Sequence, residues 1–202
     1  MKVVAPDKAG IARAAQAIAA GEIVAYPTET VYGLAVNPFS EAAVDRLLKV
    51  KGRGPDTAIL VIVADDIQLE QVAAEITPAA RQFMEAFWPG PLSLLFKKSH
   101  VLAPSLTRHF EKVCVRCPGL DMARELCKAS KLPLTSTSAN RSGETPASAV
   151  GDIRLDGISV AIDGGVLPPS PPSTIYDPDT DRIIREGAIS REAIAKVKQR
   201  LT

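Results

Sequence analysis

Three short polar stretches in this sequence each follow or abut an apolar run that has the length of one strand or helix. The polar stretches are residues 27–34, 51–53 and 136–140, and the apolar runs are residues 22–26, 44–50 and 132–134. Hydroxyl groups, amides and two fixed positive charges are therefore expected at the ends of buried elements, and not along solvated faces. In open α/β sheets this rim is where ligands bind. The pattern predicts a polar site at the rim of such a sheet.

Helices and strands alternate in the first part of the chain, and strands follow one another in the last third. Asp7 can cap a helix in which Ile11, Ala14 and Ile18 recur at helical spacing. The continuous apolar run 58–64 predicts a central strand, buried on both faces. We predict strands at 23–26, 58–64, 92–96, 113–117, 133–135, 158–162, 173–176 and 182–185, and helices after Asp7 and Ser40, at 67–74, 79–87 and 121–130, and after Ser190. This order predicts an α/β fold, with one domain over residues 1–202 and an open twisted sheet of mixed parallel and antiparallel strands.

Composition and cysteine spacing restrict the class of protein. The 202 residues are 46% apolar and 23% charged, as in ordinary globular proteins, and no run approaches the roughly 18 apolar residues that span a bilayer. The first residues show no signal-peptide pattern, so we expect a cytoplasmic protein without a membrane partner. Three cysteines in such a chain predict reduced thiols. Cys114 and Cys117 form a single C-x-x-C pair, and the histidines are not at ligand spacing, so no metal site is predicted.

The net charge of +1 argues against strong nonspecific binding of nucleic acid. Basic residues are nevertheless concentrated in residues 97–131, which hold eight Lys and Arg against three Asp and Glu. A local positive field suits an anionic substrate, whereas scattered solvated charge is the alternative for any one of these residues.

Two groups of polar residues suit the phosphates and ribose of a nucleotide. Lys51 and Arg53 flank Gly52 at the predicted end of a helix. They either complement the helix dipole or converge on a polyphosphate, which a point charge and a planar guanidinium can neutralise and orient. Ser138 and Asn140 follow a short predicted strand. They either bond their own backbone in a turn or donate to phosphate and ribose oxygens.

Arg116 lies within the apolar strand predicted at 113–117. An unpaired buried cation is very costly, so this guanidinium must have an anionic partner. The partner is either an internal carboxylate, for which Glu29 and Asp163 are candidates, or the carboxylate of an amino-acid substrate held by two hydrogen bonds.

The polar stretches and four further motifs, taken in order, resemble the YrdC-domain family of L-threonylcarbamoyladenylate synthases. The further motifs are Val115-Arg116 and residues 163–165, 173–177 and 184–189. The resemblance covers roughly residues 21–190. Gly54 stands where the family usually has proline, and Ile62 stands where long members have a histidine and short members an apolar residue. Ile62 thus resembles the short members, and because the sequence ends at Thr202, soon after the last shared motif, we expect the short, single-domain form without the accessory C-terminal domain.

The resemblance also implies roles for individual residues. The family's ATP-binding positions fall on Lys51, Arg53, Thr57, Ser138, Asn140 and Arg185. Its threonine-binding positions fall on Thr30, Arg116, Ser136 and Ser173. Lys51 and Arg53 would be the catalytic cations, and Mg²⁺ would arrive with ATP.

The implied reaction joins L-threonine, bicarbonate-derived CO2 and ATP. N-carboxy-threonine would attack the α-phosphorus and release pyrophosphate, through positioning and cationic stabilisation. The product would pass to a tRNA threonylcarbamoyl transferase complex that modifies adenosine 37, and tRNA itself is a weaker candidate partner.

Two alternatives come from other classes. A ribosome maturation factor that binds double-stranded RNA or tRNA without catalysis is disfavoured by the net charge of +1 and by only nine aromatic residues for base stacking. A carbamoyl-adenylate module of hydrogenase maturation would normally belong to a much longer chain.

Overall fold

The computed structural model describes residues 1–52 and 58–199. Within them the chain forms strands β1 (Lys2–Val4), β2 (Ile23–Pro27), β3 (Tyr32–Ala35), β4 (Leu60–Ile62), β5 (Leu92–Lys97), β6 (Lys112–Arg116), β7 (Leu134–Ser138), β8 (Ile158–Ile162), β9 (Thr174–Asp177) and β10 (Arg182–Arg185). They make one sheet in the order β1-β8-β2-β3-β7-β4-β6-β5-β9-β10. Pairs β1/β8, β2/β8, β4/β6 and β5/β9 are parallel, and the other neighbours are antiparallel. The mixed sheet confirms the predicted fold class.

The helices begin and end at local signals of the sequence. They are α1 (Lys8–Ala19), α2 (Glu41–Lys51), α3 (Asp66–Val72), α4 (Pro78–Phe87), α5 (Pro104–Thr107), α6 (Asp121–Ser130) and α7 (Arg191–Lys198). Asp7 and Ser40 accept hydrogen bonds from first-turn N–H groups of α1 and α2, as N-cap residues do. Gly52, in the left-handed region at φ 59°, ends α2. None of the helices that the structure describes has the length and apolar character needed to cross a membrane.

The two faces of the sheet carry two separate apolar cores. Ala25 of β2 and Val115 of β6 belong to the larger core on one face. Val24 of β2 and Ile62 of β4 belong to a smaller core with the buried faces of α1 and α6. Neighbouring residues of one strand divide between the cores because successive side chains point to opposite faces.

Toward β6 and β5, the face that carries the smaller core becomes polar. Cys114 and Arg116 alternate with core valines of β6, and Ser93 lies between two core leucines of β5. All three residues are buried, and Arg116 is only 4% exposed. A guanidinium at this depth needs hydrogen-bonding partners, and these partners define the candidate site.

Two strands differ from the sequence prediction in ways that affect the site. The strand predicted at 133–135 is β7 and runs on to Ser138, because it pairs with β3 on one side and β4 on the other. Ser136 and Ser138 are therefore strand residues, and only Asn140 lies in the following loop. β3 is absent from the prediction because its four residues include a glycine and directly follow the polar stretch, yet they are fully buried by pairing on both edges.

Candidate active site

The turn between β2 and β3 is organised by the hydroxyl of Thr28. Its Oγ1 accepts hydrogen bonds from the backbone N–H groups of Thr30 and Val31, at 3.1 and 3.2 Å. It also donates to the carbonyl of Val31 at 2.7 Å. Such local bonds are typical of threonine turns. Thr30, a predicted threonine-binding residue, is buried in this turn with its Oγ1 3.0 Å from that of Thr28.

The same turn brings Glu29 to the end of β6, where it pairs with Arg116. Arg116 Nη1 donates to Glu29 Oε1 at 3.0 Å, and the backbone N–H of Gly119 donates to the same oxygen at 3.1 Å. The side chains of Arg116 and Glu29 are 5% and 22% exposed. Of the two internal carboxylates that the sequence allows for Arg116, the structure therefore selects Glu29 over Asp163.

This ion pair is incompletely satisfied. Glu29 Oε2 and Arg116 Nε are buried and have no hydrogen-bond partner within the described residues. A buried donor or acceptor that lacks a partner costs about 1–3 kcal/mol. The pair therefore has one unused donor, Arg116 Nε, and one unused acceptor, Glu29 Oε2.

Ser136 lies on the same polar face and is held by Tyr26. The hydroxyl of Tyr26 donates to Ser136 Oγ at 2.7 Å, and Tyr26 is fully buried. Burial raises the pKa of Tyr26 well above its ordinary value, and the nearby Glu29 also raises it. Tyr26 therefore keeps its proton at neutral pH and can donate it to Ser136.

Ser173 and Arg185 form the far side of the site. Ser173 Oγ lies 3.0 Å from Ser93 Oγ. Arg185 donates to the carbonyl of Ser173 through Nε and Nη2, at 3.1 and 2.8 Å, and to its Oγ through Nη2 at 3.0 Å. Arg185, predicted to contact ATP, is thus in direct contact with a predicted threonine-binding residue.

The loop after β10 is bonded to Thr174, which follows the Ser173 that Arg185 contacts. Thr174 Oγ1 accepts hydrogen bonds from the N–H groups of Gly187 and Ile189, at 2.9 and 3.0 Å, and donates to the carbonyl of Ile189 at 2.6 Å. A Cβ atom at Gly187 would lie 2.0 Å from the carbonyl oxygen of Pro172, so no side chain fits there. The motifs at 173–177 and 184–189 are therefore packed together.

Arg116 and Arg185 bring two guanidinium groups to this region, and the carboxylate of Glu29 offsets one of their charges. Partial removal of the Arg185 guanidinium from water lowers its pKa, and the charge of Arg116 lowers it further. Burial raises the pKa of the neighbouring Cys114 to about 12, which outweighs the effect of both arginines. Cys114 is a free thiol, as the sequence predicts for all three cysteines, and stays protonated at neutral pH. Cys114 is therefore not a thiolate at neutral pH.

Lys51 anchors a second group of predicted residues. Its Nζ donates to the carbonyl oxygens of Ser138 and Asn140, at 2.5 and 2.6 Å, and lies 3.5 Å from Asn140 Oδ1. Lys51 is only 3% exposed, and its own carbonyl accepts from the N–H of Ser142 at 3.0 Å. The end of α2 is therefore bonded to the loop after β7.

Asn140 extends this group into the loop. Its Nδ2 donates to the carbonyls of Arg141 and Glu144, at 2.8 and 2.7 Å. Asn140 thus makes the local backbone bonds that the sequence allows as its structural alternative. Lys51, whose alternative was the helix dipole, instead bonds two carbonyls of a distant segment. The roles of both residues toward ATP stay predictions.

The predicted site residues fall into two groups that β7 connects. Ser136 belongs to the first group and Ser138 to the second, and as residues two apart on one strand they face the same side of the sheet. The first group is Thr30, Arg116, Ser136, Ser173 and Arg185, and the second is Lys51, Ser138 and Asn140. The predicted ATP residues Arg53 and Thr57 lie outside the described residues.

Three residues of the site are not among the binding residues predicted from the sequence. The sequence indicates Glu29 only as a structural partner of Arg116, and Tyr26 and Ser93 only as parts of apolar strands. Ser93 carries a usable signal, since a lone serine within an apolar strand is expected to bond a partner on its own face. Tyr26 has no comparable signal, because a buried tyrosine is common in strands.

Two further observations concern the described chain outside these two groups. Among residues 1–52 and 58–199, no group of three or more His, Cys, Asp or Glu side chains is placed to hold a metal ion. A wide surface depression of about 400 Å³ is lined by Phe39, Glu70, Gln71, Ser99 and Val101, none of which is a predicted site residue.

Known proteins resemble this chain over most of its length. The model of the Sua5/YciO/YrdC family, described as "Telomere recombination", matches residues 16–187. The threonylcarbamoyl-AMP synthase of Pyrococcus abyssi is 39% identical over 191 residues, which are 91% of this chain and 56% of the relative. The threonylcarbamoyl-AMP synthase of Vibrio vulnificus strain YJ016 is 35% identical over 177 residues, which are 85% of this chain and 95% of the relative.

A solved structure agrees with these sequence matches. The crystal structure of P. abyssi Sua5 in complex with L-threonine has a TM-score of 0.90 and 35% identity, and the match covers 97% of this chain and 60% of that one. The chain thus spans a little over half the length of the Pyrococcus relative and nearly all of the Vibrio relative.

Proposed function

This chain belongs to the Sua5/YciO/YrdC family, and we propose that it forms threonylcarbamoyl-AMP from L-threonine, bicarbonate-derived CO2 and ATP, with release of pyrophosphate. The observation that carries the proposal is the Arg116–Glu29 pair, in which a buried guanidinium keeps an Nε without a hydrogen-bond partner among the described residues. The carboxylate of an α-amino acid suits such a donor.

The first group of site residues supports binding of threonine. Nη1 of Arg116 is taken by Glu29, and in the described part of the chain its Nε–Nη2 edge makes no hydrogen bond. This edge has the fork geometry that holds a carboxylate by two parallel hydrogen bonds. The hydroxyls of Thr30, Ser136 and Ser173 would then surround the amine and the hydroxyl of the substrate.

The second group is our proposal for the nucleotide site. Lys51 brings a buried positive charge to the end of β7, where Ser138 adds a hydroxyl and Asn140 an amide. Together with Arg53, Thr57 and Arg185 these residues would bind ATP. Since Arg185 already contacts Ser173, we place it between the amino acid and the nucleotide.

The chemistry that we propose is assembly of bound reactants. The ammonium of threonine first loses a proton to water. The free amine then forms a bond to the carbon of CO2 and releases a second proton, and the new carboxylate displaces pyrophosphate from the α-phosphorus of ATP. Fixed cations stabilise the charge that develops on phosphorus and on the leaving group, and holding the reactants together removes much of the entropic barrier. We propose that Mg²⁺ enters with the triphosphate, as the substrate complex.

The proposed product is an activated intermediate for threonylcarbamoyl modification of adenosine 37 in tRNA. A downstream tRNA threonylcarbamoyl transferase complex would consume it, and weak binding of tRNA itself fits the basic residues in 97–131. Because ATP and tRNA meet in the cytoplasm, we propose that the reaction takes place there. We also propose that residues 1–202 act as one domain, since one sheet includes strands from both ends of the described chain.

The test is pyrophosphate release from ATP and Mg²⁺, with threonine and bicarbonate each omitted in turn. We expect release only when both are present, and a product with the mass of threonylcarbamoyl-AMP. Release without threonine, or none in the complete mixture, would contradict the proposed function. Tight binding of tRNA by an inactive protein would favour the RNA-binding alternative.

Substrate choice gives a second prediction. If Thr30, Ser136 and Ser173 hydrogen-bond the hydroxyl and amine of the substrate, an analogue without the hydroxyl leaves a buried partner unpaired. Serine loses only a methyl contact worth about 1 kcal/mol and should react slowly but measurably. Valine has the shape of threonine without its hydroxyl and should react more slowly than serine. Adenylate formation at equal concentrations decides this, and valine equal to or better than serine would show that shape governs selection.

A further inference from the structure

We infer that Glu29 binds the α-ammonium group of the amino-acid substrate, an inference that rests on the proposed function. Arg116 and Glu29 would then hold the two charged groups of one zwitterion, the carboxylate on the guanidinium and the ammonium on the carboxylate. Glu29 would be a substrate-binding residue in addition to the partner of Arg116.

The two oxygens of the Glu29 carboxylate differ in their hydrogen bonds. Oε1 accepts from both Arg116 Nη1 and the N–H of Gly119, which fixes the side chain from two directions. Oε2 is sealed from water and has no donor among the described residues. A purely structural carboxylate would be expected to use both oxygens at this depth, since buried acceptors are normally satisfied.

The unpaired atoms match the charged groups of an α-amino acid. Arg116 Nε is an unused donor and Glu29 Oε2 an unused acceptor, and the two residues are joined by the 3.0 Å bond between Nη1 and Oε1. A carboxylate takes N–H donors and an ammonium group takes oxygen acceptors. One bound zwitterion supplies both partners that the ion pair lacks.

The charge balance of the site leads to the same conclusion. Without Glu29, an incoming ammonium would lie among the guanidinium groups of Arg116 and Arg185, with only the substrate carboxylate to offset three positive charges. The hydroxyls of Thr30, Ser136 and Ser173 are neutral and cannot compensate a buried cation. Glu29 is the carboxylate that the structure places in direct contact with Arg116.

The experiment compares Glu29→Gln with the wild-type protein, using two ligands measured by titration calorimetry without ATP or bicarbonate. The ligands are L-threonine and 2,3-dihydroxybutanoate, in which a hydroxyl replaces the amino group. We expect Glu29→Gln to bind threonine at least about tenfold more weakly, because a charge-assisted hydrogen bond is lost. It should bind the hydroxy acid as tightly as the wild type or more tightly, because Arg116 then lacks its negative partner. The preference for threonine over the hydroxy acid should therefore be lost in Glu29→Gln.

Each outcome has a defined meaning. If Glu29 only positions Arg116, it affects both ligands alike, because Arg116 would bind the carboxylate of each. An equal loss of affinity for threonine and for the hydroxy acid would therefore overturn the inference. Threonine affinity that is unchanged, or a preference for threonine that survives in Glu29→Gln, would also overturn it. Wild-type protein that neither binds threonine nor releases pyrophosphate would instead contradict the proposed function and remove the premise.

Two further variants protect the comparison. Glu85→Gln makes the same change on the exposed face of α4 and should alter neither affinity. If the thermal melting curve shows that Glu29→Gln is unfolded, Glu29→Asp takes its place, because it keeps the charge on a shorter side chain. Glu29→Asp should retain part of the preference for threonine over the hydroxy acid, and complete loss of that preference in a folded Glu29→Asp protein would overturn the inference.

Discussion

Replacing Lys51 by alanine is expected to lower adenylate formation by about 10²-fold or more and also to lower the stability of the fold. The catalytic loss follows from removing a fixed positive charge from the proposed polyphosphate site. The stability loss follows from the structure, in which Lys51 Nζ bonds the carbonyls of Ser138 and Asn140 at 2.5 and 2.6 Å. Leaving these carbonyls without their donor should cost about 2 kcal/mol. From the sequence alone we would expect the catalytic loss without unfolding.

The two effects of Lys51→Ala can be measured separately. Urea unfolding gives the stability, and pyrophosphate release well below the melting temperature gives the activity. Lys49→Ala is the matched control, because Lys49 lies in the same last turn of α2 with its side chain exposed. A folded Lys51→Ala protein with near-normal turnover would remove Lys51 from the catalytic site. An unchanged free energy of unfolding would show that its internal bonds contribute little.

Arg116→Ala is expected to destabilise the protein by about 3 kcal/mol and to weaken threonine binding. Removing one partner of a buried pair leaves the other charge uncompensated, and within residues 1–52 and 58–199 Glu29 would keep only the N–H of Gly119 as a donor. The loss of the substrate carboxylate contact should weaken threonine binding by a free energy on the order of 2 to 3 kcal/mol, while ATP affinity stays nearly intact. Urea unfolding and titration with each ligand measure these effects.

Suitable variants separate the structural part of the Arg116 effect from the binding part. Arg13→Ala, an exposed change on α1, should leave both measurements unchanged. The double variant Arg116→Ala with Glu29→Ala should regain some stability, because the unpaired carboxylate is gone, but not threonine affinity. If ATP binding falls as much as threonine binding in Arg116→Ala, Arg116 serves only to pair Glu29.

Local signals in the sequence were enough to predict most helices. Asp7 and Ser40 cap α1 and α2 as expected, and α6 occupies the predicted residues 121–130. Helix ends can be predicted because capping and i to i−4 bonding involve residues that are close in sequence. Strand ends were less predictable, as β3 and the last residues of β7 show, because a strand is completed by partners far away in the chain.

The sequence by itself determined the class of fold, the family resemblance and the kinds of residue at the site. Only the tertiary structure decided the partners of those residues. In the structure Arg116 pairs with Glu29 and not with Asp163. Lys51 bonds the loop after β7, and Arg185 bonds Ser173. The reason is physical: in each of these contacts the two residues are at least 12 positions apart in the chain. Their bonding depends on strand register and on which face each side chain occupies, and neither can be read from one strand alone.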